Sequence, residues 1–337
     1  MMSSSTWLTL IVPGIGAALA RSAQGGSAAT ARLAHIAGRG ALGCEWHRGD
    51  VDADLRPWQR GLLAALELTE QTFASAPVSA LGSQAAHAGE YWMHLEPVHF
   101  AAGLDRLVYL PLEGETRILD TERTLLAGML EEHLRSLGMQ LHTLSDGTWC
   151  ARRANAFAVA TSNPEAAAAN ELQLALPRGP ESGALRRLMT ELQMLLHDHP
   201  VNESRARRGL PVINAIWVWG QGVVPESAST KNLPTVFADD PYARGICVLH
   251  LRSAIAVPAT SDALFPAIAG SSRAVAVIPA DDLDSLDARW IGPLTAALSA
   301  RKLARLDFVL DGWHLQLDRA ALRRFWRKAR PLSGWVN

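Results

Sequence analysis

The stretch His197 to Gly222, HDHPVNESRARRGLPVINAIWVWGQG, holds the chain's densest polar chemistry. Two histidines close a leucine-striped helix, Asn202 follows a proline, and Arg205, Arg207 and Arg208 crowd together. A guanidinium grips phosphate or carboxylate through parallel N–H donors. Asn202 and Asn214 add amide donors, and His199 adds a donor or, at low pH, a charge. The Gly220-Gln221-Gly222 turn lets backbone N–H groups approach a ligand closely. On this reading His199, Asn202, Arg205, Asn214, Gly220 and Gly222 bind a small anion. The same residues also suit a polar linker between two domains. His197 and His199 then satisfy helix carbonyls, the arginines are solvated, and Trp217 and Trp219 straddle a half-buried strand.

The surrounding pattern defines what positions this stretch. Leu185, Leu188, Met189, Leu192, Leu195 and Leu196 repeat at helical spacing, predicting a helix over Gly183 to His197 that Pro200 stops. Val212 to Trp219 reads as a strand ending at Gly220. Further strands are expected at Trp7 to Val12, Tyr91 to Phe100, Arg106 to Leu112, Gly245 to Leu251 and Ala274 to Ile278. Hairpins are expected over Met139 to Arg152, around Asp146-Gly147, and over Leu306 to Leu317, around Asp311-Gly312. Helices are expected within Ala17 to Leu42, at Arg56 to Glu70, from Asp120 (as cap) to before Gly138, from about Ile291, and at Arg319 to Arg330. Ala74 to Gly89 reads as a loop.

Mixed strands and helices with glycines at strand ends give an α/β fold class. A length of 337 residues accommodates two domains, or a core carrying a large insertion. The block from 93 to 210 has its own α+β content, so we expect an inserted domain there and an α/β core from 1–92 and 211–337. The net charge of −1 provides no overall electrostatic footprint for nucleic acid or an anionic membrane. Three scattered cysteines without a CxxC fit a reducing compartment, hence the cytoplasm, and argue against a cysteine zinc site. Leu8 to Ala20 has the apolarity of a signal-peptide core, but no Lys or Arg precedes it and Pro13-Gly14 interrupts it. A buried first strand is the expectation.

His199, Pro200, Val201, Asn202, Arg205, Gly209, Leu210, Pro211, Asn214, Gly220 and Gly222 match a known pattern in order. The pattern is the His-Pro-(Val/Leu)-Asn…Arg…Gly-Leu-Pro…Asn…Gly-x-Gly segment of archaeal-type cofactor-independent phosphoglycerate mutases, which the chain resembles. In that family the segment returns the chain from an inserted domain to the core. ELQMLLHDHPVN and INAIWVWGQG, with EPVHFAAGLD at Glu96 to Asp105, resemble more closely a bacterial offshoot named for the regulatory protein RpfE. Thr30, Leu33, Ala37 and Gly40 also match the helix that follows the family's first strand. Ala31 and Ala34 replace its proline and aspartate. The resemblance implies an alkaline-phosphatase-like core sheet flanked by helices, with an inserted α+β domain.

It also implies a metal pair held by Asp and His and a phosphoryl-carrying serine, and there the sequence departs. The first ligand, an aspartate ending the first strand, is replaced by Pro13. The serine context becomes Gly49-Asp50, Gly82-Ser83 lies too far on, and the C-terminal Asp-His-Ser motif is absent. A hairpin accounts for Asp311-Gly312-Trp313-His314; Asp281, Asp282, Asp284 and Asp287 could form an acidic metal site but suit a helix-start and loop cluster better. The leading expectation is therefore a pseudoenzyme with a regulatory role that needs no cofactor and binds a small anionic metabolite or a protein partner. One alternative is an active metal-dependent mutase or phosphoesterase. It would use manganese, magnesium or zinc, with ligands relocated to His47, Asp50, Asp52, His94 and His99. Another is a protein-interaction module using some of the eleven tryptophans as anchors.

Overall fold

The computed structural model describes residues 6–22, 27–70, 73–102, 107–110, 112, 114–226, 232–280 and 282–332. Its strands run in chain order as β1 (Trp7–Val12), β2 (Ala41–Cys44), β3 (Tyr91–Ala102), β4 (Leu107–Leu110), β5 (Met139–Thr143) and β6 (Trp149–Arg153). They continue as β7 (Ala215–Val223), β8 (Thr235–Phe237), β9 (Arg273–Val277), β10 (Arg305–Leu310) and β11 (Trp313–Asp318). The fold is α/β, with sheets flanked by helices. It divides into two compact units. The first comprises residues 1–47, 57–69 and 229–337, the second 48–56 and 70–228.

The first unit is built on one sheet, ordered β2-β11-β10-β1-β9-β8. Strands β10, β1, β9 and β8 run parallel, and the β10–β11 hairpin and β2 add an antiparallel edge. Period-two alternation sorts its faces. Leu8, Leu10, Leu306, Phe308 and Leu315 point into one core, with Leu33, Leu286 and Leu294 from flanking helices. Val309 points the other way, against Gly61 of the helix Pro57–Ala65.

In the second unit, β3 is twelve residues long and carries the sheet. Strands β7, β6 and β4 all pair with it, β6 at its amino end, β4 at its carboxyl end and β7 along most of its length. All of these pairings are antiparallel. Met93, Leu95, Ile216 and Val218 face the helices Asp120–Ser136 and Ser182–His197, whose buried leucine stripes close that side. Trp217 and Trp219 face the opposite side, where both are buried rather than straddling the strand. This unit spans 48–56 and 70–228, against the expected 93–210; β7 lies beyond 210, and the helix Ser75–Gly82 and the start of β3 lie before 93.

Several elements differ from the sequence reading for local physical reasons. Residues 241–249 form a helix rather than a strand, because Asp240 accepts the Ala243 N–H and Pro241 occupies the first turn. Ala74 to Gly89 contains a buried helix, Ser75–Gly82, whose small residues allow close packing. Pro200 begins a second helix, Pro200–Arg207, with His199 as its cap. Asp120 lies inside its helix, and Glu122 reaches back to the Leu119 N–H. The last helix ends at Leu322, well short of Arg330. No helix among the described residues is long and apolar enough to cross a membrane.

Candidate functional site

The predicted anion-binding residues are all in the second unit, and the structure turns their polar atoms onto the protein. Arg205 is fully buried. Its Nε donates to Pro211 O at 2.8 Å, and its terminal nitrogens donate to Glu122 Oε2 at 2.8 Å, Thr116 O at 2.6 Å and Arg117 O at 3.3 Å. Glu122 also pairs with Arg208; burial pushes its carboxylate up, but the Leu119 N–H and these two arginines together hold it below the usual range. Asn202 donates to Leu196 O and Ile213 O and accepts the Ile213 N–H, each at 2.7 Å. Asn214 accepts the Phe100 N–H at 2.7 Å and donates to Phe100 O at 2.8 Å, clasping β3. The His199 ring accepts the Val201 N–H.

The two glycines serve close packing. Gly220 has φ +62°, and a Cβ there would stand 2.9 Å from the Ser75 Cβ. A Cβ on Gly222 would stand 2.7 Å from that of Ala74. Both let the helix Ser75–Gly82 approach β7. The side-chain donors of Arg205, Asn202 and Asn214 thus form an internal brace, bonded to carbonyls of the same chain.

A second polar centre lies on the tryptophan-bearing face of the β3–β7 pair. His94 stacks on Trp219 with centroids 4.5 Å apart, and the Arg56 guanidinium is 4.9 Å from a Trp219 ring centroid. Arg56 bonds Glu96 at 2.6 Å and Glu165 at 2.9 Å, and Trp219 Nε1 also donates to Glu96. His94 lies between Ser75 Oγ, 3.0 Å from Nε2, and Cys150 Sγ, 3.2 Å from Nδ1. A serine, a histidine and a cysteine in line resemble a nucleophile relay. Burial and the nearby Arg56 charge lower the His94 pKa to about 3, while burial pushes the Cys150 thiol well up. All three members are neutral, so the series is a buried hydrogen-bond chain and not an activated nucleophile.

Asp54 adds a titrating group. The Thr161 hydroxyl lies 2.9 Å from Asp54 Oδ1 and 2.6 Å from Gln221 Oε1. One hydroxyl has one proton, so it satisfies both acceptors only when Asp54 is itself protonated. Burial raises the Asp54 pKa to about 6, against the opposing bonds from Thr161 and Gly220. The folded value lies above the ordinary 3.8, so the native state binds the proton more tightly. This contribution to stability is complete below the unfolded pKa and is lost as pH rises through about 6. Asp54→Asn should therefore remove that decline. Urea melts at about pH 5 and about pH 8 check it. An unchanged slope would show that Asp54 does not titrate in this range.

In the first unit, the carboxyl ends of the parallel strands are where a metal centre of the expected kind belongs. Pro13 ends β1. Asp311 lies nearby, 7% exposed, and its two carboxylate oxygens accept the N–H groups of Gly14 and Gly16, each at 2.9 Å. Asp240 caps the helix Pro241–Leu249, Asp282 caps Leu283–Leu286, and Asp318 at the end of β11 caps Arg319–Leu322. Asp287 pairs with Arg32 at 2.9 Å. Among the described residues no group of three His, Cys, Asp or Glu is placed to hold a metal ion.

The relocated-ligand candidates are individually engaged as well. Asp52 pairs with Arg178 at 2.6 Å, His99 Nδ1 lies 2.8 Å from Val212 O, and His47 lies 3.6 Å from Cys44 Sγ. Asp50 accepts the Asp52 N–H at 3.2 Å. Asp105 and Asp281 lie outside the described residues. Sequence reasoning missed the roles of Asp54, Arg56, Thr161 and Glu165. Their partners stand tens of residues away, and only the alternation of His94 with Glu96 and of Trp217 with Trp219 signalled a shared face.

Over 50 residues the chain is 46% identical to the 2,3-bisphosphoglycerate-independent phosphoglycerate mutase of Methanothrix thermoacetophila. That match spans 15% of this chain and 13% of the relative. The enzyme of the same name from Methanosarcina mazei is 38% identical over 58 residues, 17% of this chain and 15% of its own length. No sequence-family profile matches. Among solved structures, the cofactor-independent phosphoglycerate mutase of Thermoplasma acidophilum is similar at a TM-score of 0.41 with 14% identity, covering 93% of this chain and 90% of that one. A Pyrococcus horikoshii protein is similar at 0.46 with 13% identity, covering 95% and 92%.

Proposed function

We propose that this chain is a non-catalytic relative of the cofactor-independent phosphoglycerate mutases. It acts in regulation by engaging a small anionic metabolite or a protein partner. The short, strong sequence matches support kinship. One observation carries the non-catalytic reading: Pro13 stands at the carboxyl end of β1, and the nearby Asp311 carboxylate is occupied by the N–H groups of Gly14 and Gly16. Phosphoryl transfer on a metal pair needs clustered hard donors free to coordinate. Proline has none, and the neighbouring aspartates are engaged as helix caps, so the residues present do not fit a metal pair.

The same reading makes His199 to Asn214 a structural inheritance, holding a helix pair and the end of β3 in place. Three free cysteines fit a reducing compartment such as the cytoplasm. Incubation with manganese or magnesium and each phosphoglycerate isomer tests the proposal. The expected result is no interconversion above a protein-free blank, and sustained turnover would overturn it.

A further inference from the structure

We propose that a second surface, the turn carrying Phe325 and Trp326 in the first unit, docks onto an anionic lipid bilayer. The inference is independent of the reading above. Residues 319–330 contain Arg319, Arg323, Arg324, Arg327, Lys328 and Arg330 and no acidic residue, in a chain whose net charge is only −1. The overall charge balance hides this local cation cluster. The Arg327 N–H donates to Arg324 O at 3.0 Å, closing a turn with Phe325 and Trp326 at its two central positions. Their side chains are 78% and 69% exposed, and their rings meet edge to face at 5.4 Å.

The turn is held in place. Leu322 and Leu332 on either side pack on the main core. The Arg330 N–H donates to Ala34 O at 2.9 Å. The chain passes so close to Gly38 that a Cβ there would lie 2.1 Å from Lys328 O. The fold thus presents two large aromatics to water among cations. Aromatic rings with arginine and lysine around them suit the headgroup level of a bilayer, where rings enter the apolar boundary and cations meet anionic lipid. A single-stranded nucleic acid fits less well. It needs open ring faces along a groove that tracks the backbone, whereas these rings close on each other at the tip of a turn.

Vesicle flotation tests the proposal with the full chain, using pure phosphatidylcholine and a phosphatidylcholine–phosphatidylserine mixture. Binding to the anionic vesicles should exceed that to neutral ones by about tenfold or more and fall steeply with added salt. Phe325→Ser with Trp326→Ser should reduce it by roughly tenfold. Arg323→Gln with Arg327→Gln and Lys328→Gln should do the same while keeping the rings. All five side chains are exposed or nearly so, and unchanged circular dichroism and melting would confirm intact folding. Equal binding to both vesicle types, no binding, or variants that bind like the parent would overturn the proposal. So would displacement of anionic vesicles by a single-stranded RNA oligonucleotide.

Discussion

Arg205→Ala is expected to lower unfolding free energy by about 3–5 kcal/mol, the usual cost of breaking a buried ion pair from one side. The guanidinium is fully buried and joins Glu122 to the carbonyls of Thr116, Arg117 and Pro211. Removing it leaves a buried carboxylate held only by Arg208 and the Leu119 N–H, takes a donor from each of three carbonyls, and opens a cavity. At about 2–4 °C per kcal/mol for a unit of this size, the thermal midpoint should drop by roughly 10 °C. Arg205→Lys should recover less than half, because an ammonium cannot span this set of acceptors. Urea melts followed by circular dichroism measure the loss. A change below about 1 kcal/mol would contradict the brace, since that is the range of surface pairs.

Asp311→Ala is expected to cost about 2–3 kcal/mol through a different mechanism. Its carboxylate satisfies the exposed Gly14 and the buried Gly16 N–H groups, and orphaning a buried donor such as Gly16 costs about 1–3 kcal/mol. The residue also has φ +49°, a conformation Asp and Asn tolerate better than Ala. Asp311→Asn keeps the turn geometry and one acceptor, so it should cost roughly half as much. If both variants melted like the parent, Asp311 would be spare, and the case that its carboxylate is committed to capping would fail.

These two residues also show how far the sequence could be read. Leu306 to Leu317 alternates cleanly around Asp311-Gly312, so the hairpin was legible, and so was the α/β class. What Asp311 caps was not, because Gly14 and Gly16 lie almost the whole chain away. Arg205 and Asn202 announced polar chemistry by type and spacing. Neither property distinguishes a guanidinium facing a ligand from one facing carbonyls of its own chain, a distinction set by Thr116, Arg117 and Glu122. Gly245 to Leu251 reads as a strand because its apolar run lacks clear period, whereas the Asp240-Pro241 start decides for a helix. Ser75 to Gly82 looked like a loop because small residues dominate it. That smallness is what lets it pack against Gly220 and Gly222. At the other end, Leu322 to Arg330 has helix-forming residues throughout. Tertiary contacts at Ala34 and Gly38 instead draw the chain into a turn that exposes two aromatics.

The measurement that bears most directly on the central claim is phosphoglycerate isomer interconversion by the purified wild-type chain, with manganese or magnesium present, followed alongside Asp311→Asn. The account predicts no turnover above the blank for either protein, with the variant changed only in stability. Sustained interconversion by the wild type, lost in Asp311→Asn or on chelation, would show that the carboxyl edge of the first sheet still supports phosphoryl transfer and would contradict it.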